Sequence, residues 1–162
     1  MKRLVIAIFN AWILFIGVDF FFHAGIIASV WKENVPAIKS LEDLALLIPA
    51  GYASFLLLTI LIGYVYHRIF PEKPKGRDVW KFALIFGGLF SLGNLLALYS
   101  YVEIPLKQLI IFNIVYLAEI IVVTFALNST LFSEKPRKLV FRSILIFVLL
   151  VILGVVFQNL LK

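Results

Sequence analysis

Asp19 and His23 stand four residues apart in one long apolar run, and Glu119 stands alone in another. On a helix the i, i+4 spacing sets a carboxylate and an imidazole on one face, where they can share a hydrogen bond or pass a proton. The pair suits a proton relay or a ligand-binding site. The plainer alternative is a histidine that neutralises a carboxylate near a helix end. Trp12, seven residues before Asp19, falls on the same narrow arc, whereas Asn10 faces the other way. Glu119 has no basic residue at its depth in any other apolar run. In its protonated form it can donate a hydrogen bond to Tyr116 on the preceding turn, or to Asp19 across a bundle. It serves either a function or only the packing.

The other polar groups inside apolar runs are amides and small hydroxyls. Gly87, Ser91 and Asn94 follow one another at i, i+4 and i+7, a stripe that lets a second helix approach closely and uses Asn94 as an interhelical hydrogen-bond donor. Asn113, Tyr116, Glu119, Thr124 and Asn128 cover about half of a helix circumference, so they do not form one seam. Counted along the helices, Asp19, Asn94 and Asn113 reach the same half of a bilayer. The expected ligand-binding set is therefore Asp19, His23, Asn94, Asn113, Tyr116 and Glu119, around a small pocket floored by Glu119.

Several chemistries find no support. The chain has no cysteine, which excludes thiolate catalysis, disulfides and Cys-ligated zinc or iron-sulfur centres. Its two histidines, His23 and His67, fall at opposite membrane faces and cannot clamp one haem. Asp19, His23 and Glu119 carry metal-ligand atoms, yet one histidine with two carboxylates from distant segments is a pattern of low specificity. No phosphate-binding loop, nucleophile elbow or zinc-protease motif occurs. No catalytic residue, metal or cofactor is expected.

The elements that must hold these residues follow from composition. Of 162 residues, 63% are hydrophobic and 15% charged, a mix that needs lipid as its solvent. Apolar runs predict an all-α integral membrane bundle forming one domain, with five transmembrane helices at about 4–30, 44–66, 79–101, 106–132 and 139–161. The opening Met1-Lys2-Arg3 resembles a signal peptide, but the run behind it is too long, contains Asp19 and lacks a small-residue cleavage site, so the first span is expected to be retained. Ser40 reads as the N-cap of the second helix, with Trp31 to Ser40 a loop, and Pro49 as a candidate kink. The turn before Leu106 is so short that the third and fourth helices must be antiparallel neighbours, with Pro105 at the first helical position.

Charge sets the expected threading. Eleven of the fifteen basic residues lie at the N-terminus and around the connections at 67–81 and 134–142, against Glu72, Asp78 and Glu134. Four basic and four acidic residues share the opposite side. The positive-inside rule then puts the N-terminus in the cytoplasm and the C-terminus outside, in a cell membrane expected to be a prokaryotic cytoplasmic membrane. Trp31, Tyr99 and Tyr101 read as interfacial anchors at the outer face. Because the basic residues cap apolar runs, their expected partner is anionic lipid and not nucleic acid. Glu-Lys-Pro recurs in both cytoplasmic turns, at Glu72 and at Glu134, either as a trace of a duplicated hairpin or simply as the way such turns are built.

Asp19 with the aromatics after it, the glycine-rich third span and Pro105-Leu106-Lys107 together resemble a family of small bacterial multi-pass membrane proteins of unknown function. Asn113 and Tyr116 stand near positions where that family carries an acidic residue and a tryptophan. Its acidic residue and asparagine before the Pro-Leu are reduced here to Asn94. The resemblance implies a compact bundle and no particular activity. Three functions fit: binding or transport of a proton, ion or small amphipathic ligand in an outward-facing pocket, with a full transporter of this length expected to form a homo-oligomer; a non-catalytic subunit or assembly factor of a larger membrane complex; and an intramembrane lipid-modifying enzyme. The threading is testable because no native cysteine interferes. Lys73→Cys and Lys135→Cys are expected to react with an impermeant maleimide from the same side of sealed vesicles, and labelling from opposite sides would refute the five-span arrangement.

Overall fold

A computed structural model describes residues 1–32 and 41–160 of the chain. Its helices are α1 (Lys2–Phe20), α2 (Leu41–Ile69), α3 (Gly76–Tyr101), α4 (Leu106–Leu131) and α5 (Pro136–Leu160), with no strand among the described residues. All five belong to segments long and apolar enough to cross a membrane. In hydrocarbon every backbone N–H and C=O must be paired within the chain, and a helix does this with no help from its neighbours. The helices run about one turn past the expected bounds at their basic ends, where α2 reaches Ile69, α3 begins at Gly76 and α5 at Pro136. Lysine and arginine there can carry their charges to the headgroups while the backbone stays helical.

The first span departs from the single expected helix. After Phe20 it widens into a π turn, Phe21–Ile26, in which the N–H of Ile27 donates to the carbonyl of Phe22 at 2.8 Å, and a short 3₁₀ turn, Val30–Lys32, follows. The widened turn lies where the chain touches α5 most closely. A Cβ added to Gly25 would sit 3.1 Å from the Cα of Gly154, and one on Gly17 would sit 3.2 Å from the Cα of Phe147. The loop after Lys32 and the Ser40 cap lie outside the described residues. α2 continues without a break through Pro49. Pro105 is the N-cap of α4 and not its first helical residue: its ψ of 131° is extended, and its carbonyl accepts from Gln108 and Leu109.

α1 is the central helix and packs against α2, α4 and α5. It runs antiparallel to α4, so that Asn10 meets Thr130 near one end (2.8 Å) while His23 meets Glu119 near the other. α3 and α4 form the close antiparallel pair that their short turn requires, with Gly87 against Leu117 and Ile120. The two pairs joined by Glu-Lys-Pro turns, α2 with α3 and α4 with α5, make few close backbone approaches.

This unequal pairing gives a bundle that is dense in one half only. In the half with the basic turns, Ala7, Ala11, Leu58, Ile62, Phe82 and Leu127 are buried together, and the hydroxyl of Tyr66 donates to Asn128 at 3.1 Å. Towards the α3–α4 turn α2 loosens, and Leu46, Leu47, Ile48 and Gly51 lie on the surface. The glycine contact predicts a sharp asymmetry. Gly25→Ala must push backbone against backbone and should lower stability in detergent by about 1–3 kcal/mol. Gly88→Ala, where an added Cβ meets nothing within 4 Å, should stay within about 1 kcal/mol of the parent. Thermal melts of the two variants check this.

Candidate functional site

In the loosely packed half a cavity of about 720 Å³ opens between α1, α2, α3 and α4. Asp19, His23 and Glu119 converge on its wall. His23 Nε2 lies 3.7 Å from Asp19 Oδ1 and 3.9 Å from Glu119 Oε1, and one ligand atom from each residue falls within 4.8 Å of the others. Both separations exceed a hydrogen bond. Helical spacing predicts a direct Asp19–His23 bond. The change to i→i+5 pairing after Phe20 reorients the histidine and leaves room for an atom between the two side chains.

Glu119 is the least compatible of the three with its surroundings. It is 0% exposed, and neither carboxyl oxygen has a hydrogen-bond partner. The bonds expected to Tyr116 and Asp19 are not formed, and the nearest ion-pair partner is His23. Asp19 and His23 keep 17% and 23% of their side chains exposed, so the carboxylate of Glu119 stands behind theirs as the inner limit of the group.

The walls are aromatic and aliphatic. Trp31 stacks on Phe112 with ring centroids 4.6 Å apart, and its indole N–H donates to His23 Nδ1 at 3.1 Å. On the opposite wall, α2 presents Tyr52 and Phe55 and is tied to α1 by the Trp12 indole, which donates to the carbonyl of Tyr52 at 2.9 Å. Phe55 stacks on Phe15 (4.3 Å), Phe15 meets Tyr116 (6.3 Å), and Tyr116 meets Phe90 (5.6 Å). This row crosses all four helices and closes the cavity on the side of the apolar core. On the side away from the core, the surface residues Leu47, Ile48 and Gly51 line the mouth.

Of the six residues expected to bind a ligand, Asp19, His23, Asn94, Tyr116 and Glu119 line this cavity. Asn113 is not among the lining residues: it accepts from the Asn94 amide (3.1 Å) and donates to the carbonyl of Leu109 (2.8 Å), which makes it a brace for Asn94. Trp31, Phe112 and Tyr52 are additions that sequence reasoning missed. Trp31 carried a signal, an indole N–H two turns beyond His23, but the same residue type is common at membrane interfaces. Comparison with known protein families, curated proteins and solved structures gives no match for this chain.

A buried carboxyl group with both oxygens unpaired destabilises the bundle, because its desolvation is uncompensated. Glu119→Leu is therefore expected to raise stability by about 1–3 kcal/mol, seen as a higher melting temperature in detergent. Asn10→Leu, which strips Thr130 of its hydrogen-bond donor, should lower it. A fall in melting temperature for Glu119→Leu would mark that residue as part of the packing.

Proposed function

We propose that this is a multi-pass membrane protein whose pocket binds a small amphipathic ligand, its polar head among Asp19, His23 and Glu119 and its apolar body along Trp31, Phe112, Tyr52 and Phe55. One observation carries this reading: the fully buried Glu119, with two unpartnered oxygens, faces a histidine and a second carboxyl group from another segment at the wall of an apolar cavity. An ionisable group at membrane depth is a functional-site candidate by default, and both oxygens of this one are unpaired at the cavity wall.

Binding is better supported than conduction. Beyond the aromatic row the hydroxyls of Thr59, Thr124 and Thr130 are bonded to carbonyls of their own helices, and Asn10 and Tyr66 bond to Thr130 and Asn128, so these polar groups are engaged in packing. Among the described residues neither lysine nor arginine lines the cavity and two carboxyl groups do, which favours a neutral or cationic head for the ligand. The ligand arrives from within the bilayer, through the gap where α2 and α3 diverge and surface residues of α2 form the mouth. In the prokaryotic cytoplasmic membrane that the charge asymmetry favours, this gap opens in the outer leaflet.

Bromine-tagged dodecanol and dodecylamine, titrated into detergent-solubilised protein, should quench the fluorescence of Trp31 saturably. Gly51→Leu fills the mouth from a position where an added Cβ meets nothing within 4 Å, and it should remove the saturable component. Glu119→Leu should weaken it by about tenfold or more, the factor expected when a ligand head loses its hydrogen-bond partner. Saturable quenching by neither compound, or equal quenching in all three proteins, would reject the pocket as a binding site.

A further inference from the structure

We infer that the position between Asp19, His23 and Glu119 is built for a hydroxyl group, that of a membrane-dissolved long-chain alcohol, and that Trp31 is the residue that makes it so. This rests on the binding function proposed above and names the chemical class of the head.

The Trp31 indole sets the tautomer of His23. Trp31 Nε1–H donates to His23 Nδ1 at 3.1 Å, and stacking on Phe112 holds the indole in that orientation. A neutral imidazole has one N–H and one lone-pair nitrogen. With Nδ1 accepting, the hydrogen is on Nε2, the atom that faces both carboxyl groups. The three side chains offer one ligand atom each within 4.8 Å of one another, so an atom placed among them comes within about 2.8 Å of all three, a hydrogen-bonding distance.

That central atom must satisfy opposite demands. It has to accept from Nε2–H, and it has to give a hydrogen to a carboxyl oxygen, of which Glu119 offers two without partners. A hydroxyl oxygen does both. An alkylammonium has three donors and no lone pair, and would meet Nε2–H head on. A metal ion needs the lone pair of Nε2, and ligating histidines place their other nitrogen as a donor to a carbonyl or carboxylate, the reverse of the arrangement imposed by Trp31. A carboxylate or phosphate head brings further negative charge to two acids, with no lysine or arginine among the described residues of the wall. Water satisfies the same three atoms; with one of the two carboxyl groups protonated, an alcohol oxygen accepts from that carboxyl and from Nε2–H and donates to the other, so it displaces water without loss of hydrogen bonds, and its chain gains the aromatic walls.

Trp31 is thus a selectivity residue acting through the histidine. In Trp31→Phe the ring stack on Phe112 is kept and the N–H is lost. His23 is then free to move its hydrogen to Nδ1 and present a lone pair at Nε2.

The test uses full-length protein in lipid nanodiscs, labelled by a dodecyl chain carrying a photoreactive diazirine and competed by dodecanol, dodecylamine or dodecanoate, with zinc chloride in a parallel arm. In the wild type dodecanol should compete at concentrations about tenfold lower than dodecylamine, the equivalent of one mismatched hydrogen bond, and zinc should not compete. Trp31→Phe should shrink that preference about tenfold and admit zinc. A wild-type preference for the amine, competition by zinc in the wild type, or an unchanged preference in Trp31→Phe overturns the hydroxyl assignment while leaving the pocket intact. Failure of the diazirine probe to label cavity residues removes the binding function and this inference together. Should Trp31→Phe not fold, the wild-type order of the four competitors decides the question alone.

Discussion

An ionisable group taken out of water and given no partner is the costliest element of this molecule, and Glu119 is that group. A charged or strongly polar side chain at bilayer depth costs about 2.5 kcal/mol or more, and a bundle of this size has little stability to spare. Its position has a structural cause. α1 and α4 form an antiparallel central pair, held by Asn10 and Thr130 near the basic end, and this register carries Asp19 and His23 to the level of Glu119 at the other. The π turn after Phe20 then reorients His23 so that its ring faces both carboxyl groups without touching either.

The remaining architecture reads as support for that arrangement. Packing is dense in the basic half, where Ala7 and Ala11 of α1 are buried with Ile62 and Leu127, and it opens in the other half, where Leu46, Leu47 and Ile48 of α2 lie on the surface. The aromatic row from Phe55 to Phe90 divides the halves. It seals the cavity from the core with a row of aromatic rings, large apolar groups of few rotatable bonds. α5 contributes least to the interior; of its described residues Ser143 and Gly154 are buried, and Gly154 matters because it lets the π turn come within backbone contact.

Much of the fold was legible from hydropathy alone, since bilayer thickness dictates span length and leaves few alternatives. The close pairing of α3 with α4 was legible too, because a turn through Pro105 admits no other neighbour. Of the site, Asp19, His23 and Glu119 stood out for being ionisable in apolar runs, and their convergence adds what a linear pattern cannot contain, the register of α1 on α4. Asn113 shares the depth of the site but is turned to brace Asn94, a matter of helix rotation. Trp31, Tyr52 and Phe112 were hidden for a more general reason. In a protein dissolved in lipid, pocket walls and lipid-facing surfaces draw on the same residues, so hydropathy gives no contrast between them. The π turn had no visible signal in the hydropathy pattern; it lies where Gly25 meets Gly154 of α5, a tertiary contact.

Whether Asp19, His23 and Glu119 surround one small polar group is examined most directly by a density map of the protein in lipid nanodiscs, at a resolution that separates individual atoms. A discrete feature is expected among the three side chains, within hydrogen-bond distance of His23 Nε2 and both carboxyl groups, with the Trp31 indole on Nδ1. A map in which Glu119 bonds to another protein group, and the three side chains point apart with nothing between them, would contradict it.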